Sequence, residues 1–206
     1  MSTHVKVCGV RRREDALLAA ELGACAVGFV FWPESPRFID PYRARPIVAM
    51  LPPCTVAVGV FVDQPRDYVQ GVSRLLGLGA VQLHGHERLE EFGSLSCRVI
   101  KAVPVGETFD TARALEAIRE NVTVLLDAHD PVRRGGTGRT IDWRAAADAA
   151  RVRRVMLSGG LHAGNVAAAV QAVRPFAVDV SSGVETAPGV KDPEKLRAFF
   201  AAAGMR

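Results

Sequence analysis

Val122-Thr123-Val124-Leu125-Leu126-Asp127 is a short apolar run, rich in β-branched side chains, that ends on a carboxylate. Seven residues beyond Asp127 begins Arg134-Gly135-Gly136-Thr137-Gly138-Arg139, and soon after it Ile141-Asp142-Trp143 reads as a helix start. A run of this length, apolar throughout and followed by glycines and a helical pattern, predicts a buried strand leading through a loop into a helix. The same grammar recurs on both sides. Upstream, Val5-Lys6-Val7-Cys8-Gly9 ends on a reactive side chain and a glycine; downstream, Ser158-Gly159-Gly160 and Ser181-Ser182-Gly183 close two more strand-like runs. Four strand ends with polar or glycine-rich chemistry predict one functional face.

Read in order, strand-like runs at 5–8, 25–31, 55–62, 80–83, 97–103, 122–127, 154–157 and 177–180 alternate with helical patterns at 14–22, 41–51, 65–76, 87–92, 111–120, 143–151, 164–173 and 193–203. Continuously apolar strands separated by helices imply a parallel sheet covered on both faces. Eight such units with short connections predict an α/β chain folded as a single-domain (β/α)8 barrel of the TIM-barrel type. At 206 residues the chain is compact for that architecture, whose usual size is ~250 residues. The structural alternative, an open doubly wound sheet, needs fewer strands and a single phosphate loop after the first one, whereas the glycine turns here come late.

Composition narrows the function classes. No apolar stretch reaches the ~18 residues of a membrane span, and the N-terminus lacks a signal-peptide core, so a cytoplasmic protein without membrane contact is expected. Cys8, Cys25, Cys54 and Cys97 lie far apart with no CxxC pair, which argues against a metal cluster or a disulfide framework. The net charge of +4 comes from scattered basic residues without interleaved aromatics, a solvated surface rather than a nucleic-acid interface.

In such a barrel the active site forms where strands end. Cys8, Phe31, His84, Asp127, Ser158 and Ser181 all fall at predicted strand ends and should converge. Lys6 sits two residues before Cys8, on the same side of the strand, where its charge would lower the thiol pKa and favour thiolate; a small buried hydrophobe is the alternative reading of Cys8. Asp127, at a buried strand end, is expected to hold its proton more tightly and so to serve as a general acid, or else to order a loop. A cysteine base facing an aspartic acid suits an isomerase. The paired turns Ser158-Gly159-Gly160 and Ser181-Ser182-Gly183 follow the seventh and eighth strands, where barrels commonly hold phosphate, which implies a phosphorylated small-molecule substrate. Arg37 is suited to gripping a carboxylate or stacking on a ring, His84 shares an orientation with Gln82, and Asp179 is placed to meet a substrate amine or hydroxyl.

These motifs occur in an order that resembles phosphoribosylanthranilate isomerase. The resemblance rests on Lys6-Val7-Cys8-Gly9, Gly28-Phe29-Val30-Phe31 with Ser35-Pro36-Arg37, Val81-Gln82-Leu83-His84-Gly85, Leu126-Asp127, Gly135-Gly136-Thr137-Gly138 with Asp142-Trp143, Ser158-Gly159-Gly160 with Asn165, and Asp179-Val180-Ser181-Ser182-Gly183-Val184-Glu185 with Lys191-Asp192. It implies an Amadori rearrangement in tryptophan biosynthesis with Asp127 as acid, Cys8 as base, Arg37 near the anthranilate portion, the glycine turns around phosphate, and no metal or organic cofactor. A histidine-pathway isomerase would carry an aspartate at the end of the first strand, and a non-catalytic phosphosugar-binding barrel would need neither Cys8 nor Asp127. Two positions depart from the family pattern: Arg11 stands where a small polar residue is usual, and Ala163 where proline precedes Asn165 by two. The Gly135–138 loop reads as a cover closing over Asp127. The partner of such an enzyme is its small-molecule substrate, and a monomer or homodimer is expected.

Overall fold

A computed structural model describes residues 3–105, 111–128 and 142–204. The glycine-rich loop at 134–139 lies outside the described residues. Eight parallel strands close into a barrel in chain order: β1 (His4–Val7), β2 (Ala26–Val30), β3 (Val56–Phe61), β4 (Ala80–Leu83), β5 (Arg98–Val105), β6 (Thr123–Ala128), β7 (Val155–Leu157) and β8 (Ala177–Val180). The seam pairs β1 with β8 through His4↔Ala177, Val5↔Val178, Lys6↔Asp179 and Val7↔Val180.

Strand parity sorts the core into two parts. Val5, Val27, Val81, Val124, Leu126, Leu157 and Val178 pack outward with the helices. Ala26, Val58, Ala80, Ile100, Ala102, Leu125, Met156 and Ala177 form a separate cluster that fills the barrel. Small side chains dominate this inner cluster because eight strands leave room for only a few large ones in each layer. Above it, the same inward parity carries Lys6, Gln82, Asp127 and Asp179, all buried. The polar site therefore begins where the apolar plug stops.

Helices α1 (Arg13–Glu21), α2 (Pro41–Val48), α3 (Arg66–Leu76), α4 (Thr111–Glu116), α5 (Trp143–Val152), α6 (Val166–Val173) and α7 (Pro193–Ala202) form the outer shell. Asp40, Asp142 and Asp192 cap three of them by accepting backbone N–H bonds, and Pro41 and Pro193 supply the fixed φ at the first helical position. The helix expected at 87–92 is reduced to a single 3-10 turn, Leu89–Phe92. Gly93-Ser94 stops it before enough residues accumulate to repay helix nucleation. The turn is instead pinned from α3, where the Arg66 guanidinium donates to the Glu91 carbonyl and to Ser94 Oγ, while Phe92 is buried beneath it.

After β8 the chain adds a 3-10 turn, Ser182–Val184, and a small antiparallel hairpin, β9 (Glu185–Ala187) and β10 (Val190–Lys191). Among the described residues, no helix is long and apolar enough to cross a membrane, and no group of three or more His, Cys, Asp or Glu side chains is placed to hold a metal ion.

Candidate active site

A cavity of about 390 Å3 opens at the C-terminal ends of the strands. Cys8, Arg37, His84, Asp127, Ser158, Asp179 and Ser181 all line it. Residues from six different strands or the loops after them thus meet, as the barrel reading predicts. Phe31 does not join them. It is fully buried and packs its ring against Phe61, with centroids 5.4 Å apart. The strand ends one residue earlier than expected, and parity gives the cavity to Val30 and Trp32 while turning Phe31 toward the helices. Two roomier hollows lie elsewhere, about 890 Å3 beside α5 and α6 and about 910 Å3 at the opposite end of the barrel. Neither brings together a nucleophile and an acid among the described residues, so size does not locate the chemistry here.

Cys8 follows directly on β1 and is 8% exposed. Gly28 on the neighbouring strand leaves space for its thiol: a Cβ there would stand 2.9 Å from the sulfur and 3.3 Å from Lys6 Nζ. Burial pushes the Cys8 thiol pKa up; Lys6 and Lys191 oppose that shift, and Asp179 adds to it. Lys6 thus acts in the expected direction, but the net shift is opposite to the one read from the sequence. Desolvation of a sulfur sealed inside the barrel outweighs one neighbouring ammonium.

That ammonium is itself engaged. Lys6 Nζ donates to Asp179 Oδ1 at 2.7 Å in an ion pair whose lysine is wholly buried. Burial drives Lys6 toward its neutral form, yet the charges of Asp179 and Cys8 prevail and its pKa is raised. Asp179 Oδ2 accepts from Ser158 Oγ at 3.3 Å. The carboxylate read as facing substrate therefore also neutralises Lys6 and joins β8 to the turn after β7. Barrel closure could have signalled this, because a sheet that returns to its first strand sets the ends of β1 and β8 side by side.

Asp127 is 5% exposed, and its Oδ2 lies 3.1 Å from His84 Nε2, whose Nδ1 lies 2.9 Å from Gln82 Nε2. With Gln82 donating, the imidazole carries its proton on Nε2 and donates it to Asp127. The i, i+2 relation of Gln82 and His84 was visible in sequence; the link to Asp127 was not. Its signal is that β4 and β6 are alternate strands, which contribute side chains to the same barrel layer.

The two glycine turns come together. Gly159 and Gly160 have φ of 88° and 61°, backbone that glycine adopts without strain. Gly183 lies against the Leu161 carbonyl so closely that a Cβ would overlap it. Asn165 fixes the first turn, accepting from His162 N–H at 2.8 Å and donating to the Gly160 carbonyl at 3.0 Å. Ala163 lies within this hydrogen-bonded turn. Ser158 and Ser181 line the cavity, whereas Gly159, Gly160, Ser182 and Gly183, which follow them in the chain, do not.

Arg37 crosses the mouth. Gly9, at φ 74°, allows this: a Cβ there would sit 2.5 Å from the arginine stem. Arg37 Nε and Nη2 donate to Glu185, at 3.0 and 2.7 Å, and Lys191 Nζ reaches the same carboxylate at 2.8 Å. Glu185 and Lys191 belong to the motif that follows β8, but nothing in their sequence spacing signals that they meet Arg37. Arg11 donates to the Pro36 carbonyl at 3.3 Å and packs against Gly189, tying the first loop to the Arg37 loop and the hairpin.

The sequence model of N-(5'-phosphoribosyl)anthranilate (PRA) isomerase matches residues 5–202. The chain belongs to this isomerase family. An N-(5'-phosphoribosyl)anthranilate isomerase of Geobacter sp. (strain M21) is 47% identical over 201 residues, covering 98% of each chain. The crystal structure of the phosphoribosyl anthranilate isomerase of Thermotoga maritima superposes with a TM-score of 0.90 at 43% identity over 98% of both chains. A phosphoribosyl anthranilate isomerase in complex with reduced 1-(o-carboxyphenylamino)-1-deoxyribulose 5-phosphate superposes with a TM-score of 0.87 at 42% identity, again over 98% of both.

Proposed function

We propose that this isomerase converts N-(5-phosphoribosyl)anthranilate to 1-(2-carboxyphenylamino)-1-deoxyribulose 5-phosphate, an Amadori rearrangement in tryptophan biosynthesis. The observation that carries the assignment of roles is that Cys8 and Asp127, both buried, line one cavity at the ends of β1 and β6. Asp127 gives its proton to the furanose ring oxygen. The C1–O bond breaks, and the nitrogen lone pair forms the C=N bond of an open Schiff base. The Cys8 thiolate then takes the proton from C2, and those electrons flow to nitrogen to give an enolamine. The Cys8 thiol then protonates C1 as the enol hydroxyl loses its proton to water, leaving the ketose, and Asp127 regains a proton from water, so both groups return to their starting states. The substrate's own amine is the electron sink, so this reading needs no metal or organic cofactor.

The surroundings support these roles. As Asp127 becomes anionic, the His84 N–H 3.1 Å away is already oriented to stabilise it. Arg37 receives the anthranilate carboxylate, and Gly159, Gly160, Ser181, Ser182 and Gly183 receive the phosphate. Asp179 keeps unused lone pairs beyond its bonds to Lys6 and Ser158, and these accept from the substrate amine or a hydroxyl. The enzyme is taken to act in the cytoplasm on a free small molecule, as a monomer or a homodimer.

Purified protein supplied with phosphoribosylanthranilate should consume it far faster than a no-enzyme control. Cys8→Ala and Asp127→Asn should each lower kcat by at least about 10^2-fold, the usual range for a proton-transfer group, while phosphate affinity is retained. Near-normal isomerisation in both variants would sink the acid–base assignment.

A further inference from the structure

The carboxylate of Glu185 holds two cations at once. Arg37 reaches it through Nε at 3.0 Å and Nη2 at 2.7 Å, and Lys191 reaches Oε1 at 2.8 Å, where Gly189 N–H also donates at 3.1 Å. The Glu185 and Lys191 side chains are 5% and 0% exposed. Lys191 has its three N–H donors placed on Glu185, the Cys8 carbonyl and the Ser181 carbonyl, so it points at no ligand. Burial pushes Glu185 toward its neutral form, but Arg37 and Lys191 prevail and hold it below the usual carboxylate range.

Two consequences follow from charge and shape. Burial lowers the Lys191 pKa and Glu185 opposes that shift; with Lys191 protonated, two cations share one anion and the cluster keeps a net single positive charge beside the cavity. An Arg37–Glu185 pair alone would be neutral. Glu185 also occupies the Nε–Nη2 edge of the guanidinium, which fixes its plane and leaves the end-on edge, Nη1 with the second hydrogen of Nη2, for a second carboxylate.

We infer that Glu185, charge-balanced by Lys191, is a positioning residue that holds Arg37 flat and cationic so that its end-on edge grips the carboxylate of the substrate's aromatic acid. This rests on the isomerase reading above and assigns it a specificity element. Of the groups that the Glu185 carboxylate bonds, only Arg37 lines the cavity, so the contact should affect recognition of the carboxylate more than proton transfer.

The test compares phosphoribosylanthranilate with its descarboxy analogue, N-(5-phosphoribosyl)aniline, in wild type and Glu185→Gln. A glutamine Oε1 still accepts from Lys191 and Gly189, while its NH2 group turns a donor toward Arg37. KM for the carboxylated substrate should rise about tenfold, with kcat within about threefold and KM for the aniline analogue nearly unchanged. Wild-type preference for the carboxylated substrate should shrink accordingly, and Arg37→Ala should add little further loss in the Glu185→Gln background. Equal losses on both substrates, or none on either, would overturn the proposal while leaving the isomerase reading intact. A wild type that turns over neither substrate would overturn that reading and this proposal with it. If Glu185→Gln does not fold, Glu185→Asp, which keeps the charge but retracts it by one methylene, must show the same split in smaller measure.

Discussion

Cys8 shows how two opposing forces set one side chain's chemistry. Burial raises its pKa and Lys6 lowers it, with burial prevailing. Loss of activity to iodoacetamide should therefore accelerate with pH above the ordinary thiol range of about 8.5, since only the thiolate is alkylated. Lys6→Met should move that rise further alkaline; a plateau reached below pH 8 in the wild type would contradict the burial argument. The same lysine has a structural role, because its removal strands Asp179 inside the barrel. Lys6→Met should cost about 3–5 kcal/mol in denaturant unfolding, and pairing it with Asp179→Leu should recover much of that. Glu185 carries the opposite pH sign. Its pKa is depressed, so its stabilisation is present above the unfolded carboxyl value and is lost as pH falls through the folded one. Cys8 and Asp127 were legible as candidates because each ends an apolar run. The partners Lys6–Asp179 and His84–Asp127 were not, because strand spacing says which way a side chain points and not what stands opposite.

At the scale of elements, strands were legible to within one or two residues because buried parallel strands are mostly apolar, with polar residues such as Lys6, Gln82, Asp127 and Asp179 confined to the inward parity near their C-terminal ends. Helices were legible where a cap and a full amphipathic face coincide, as in α7, where Asp192 accepts from Glu194 and Lys195 N–H. Asp192→Ala should lower stability by ~1 kcal/mol, measurable as a shift in the denaturant midpoint with unchanged slope. The 3-10 turn after β4 escaped sequence reading, since 87–92 has a helix's composition but not its length. The β9–β10 hairpin escaped it too. Strands of three and two residues carry no periodicity, yet this hairpin brings Glu185 and Lys191 beneath Arg37. Local pattern reveals scaffolding, whereas this part of the site is held by connections too short to have a pattern.

For the whole molecule, the shell and the site are separable. Leu196, Phe199 and Phe200 of α7 are buried in the outer core, and none of them lines the cavity. Phe199→Ala should cost about 3–5 kcal/mol of global stability, read by chemical denaturation, with KM unchanged at temperatures where the variant stays folded. The seam has a different consequence, in time rather than in energy. Lys6–Asp179, Arg37–Glu185 and Lys191 with the Cys8 carbonyl join residues 173, 148 and 183 positions apart. At a synthesis rate of ~5–20 residues per second, the thiol-bearing strand leaves the ribosome roughly 10–40 s before its partners exist. Through that interval Lys6 has no carboxylate and Arg37 no anchor. The site is therefore assembled only when the final segment docks, and until then the Cys8 thiol lacks the burial that raises its pKa in the folded protein.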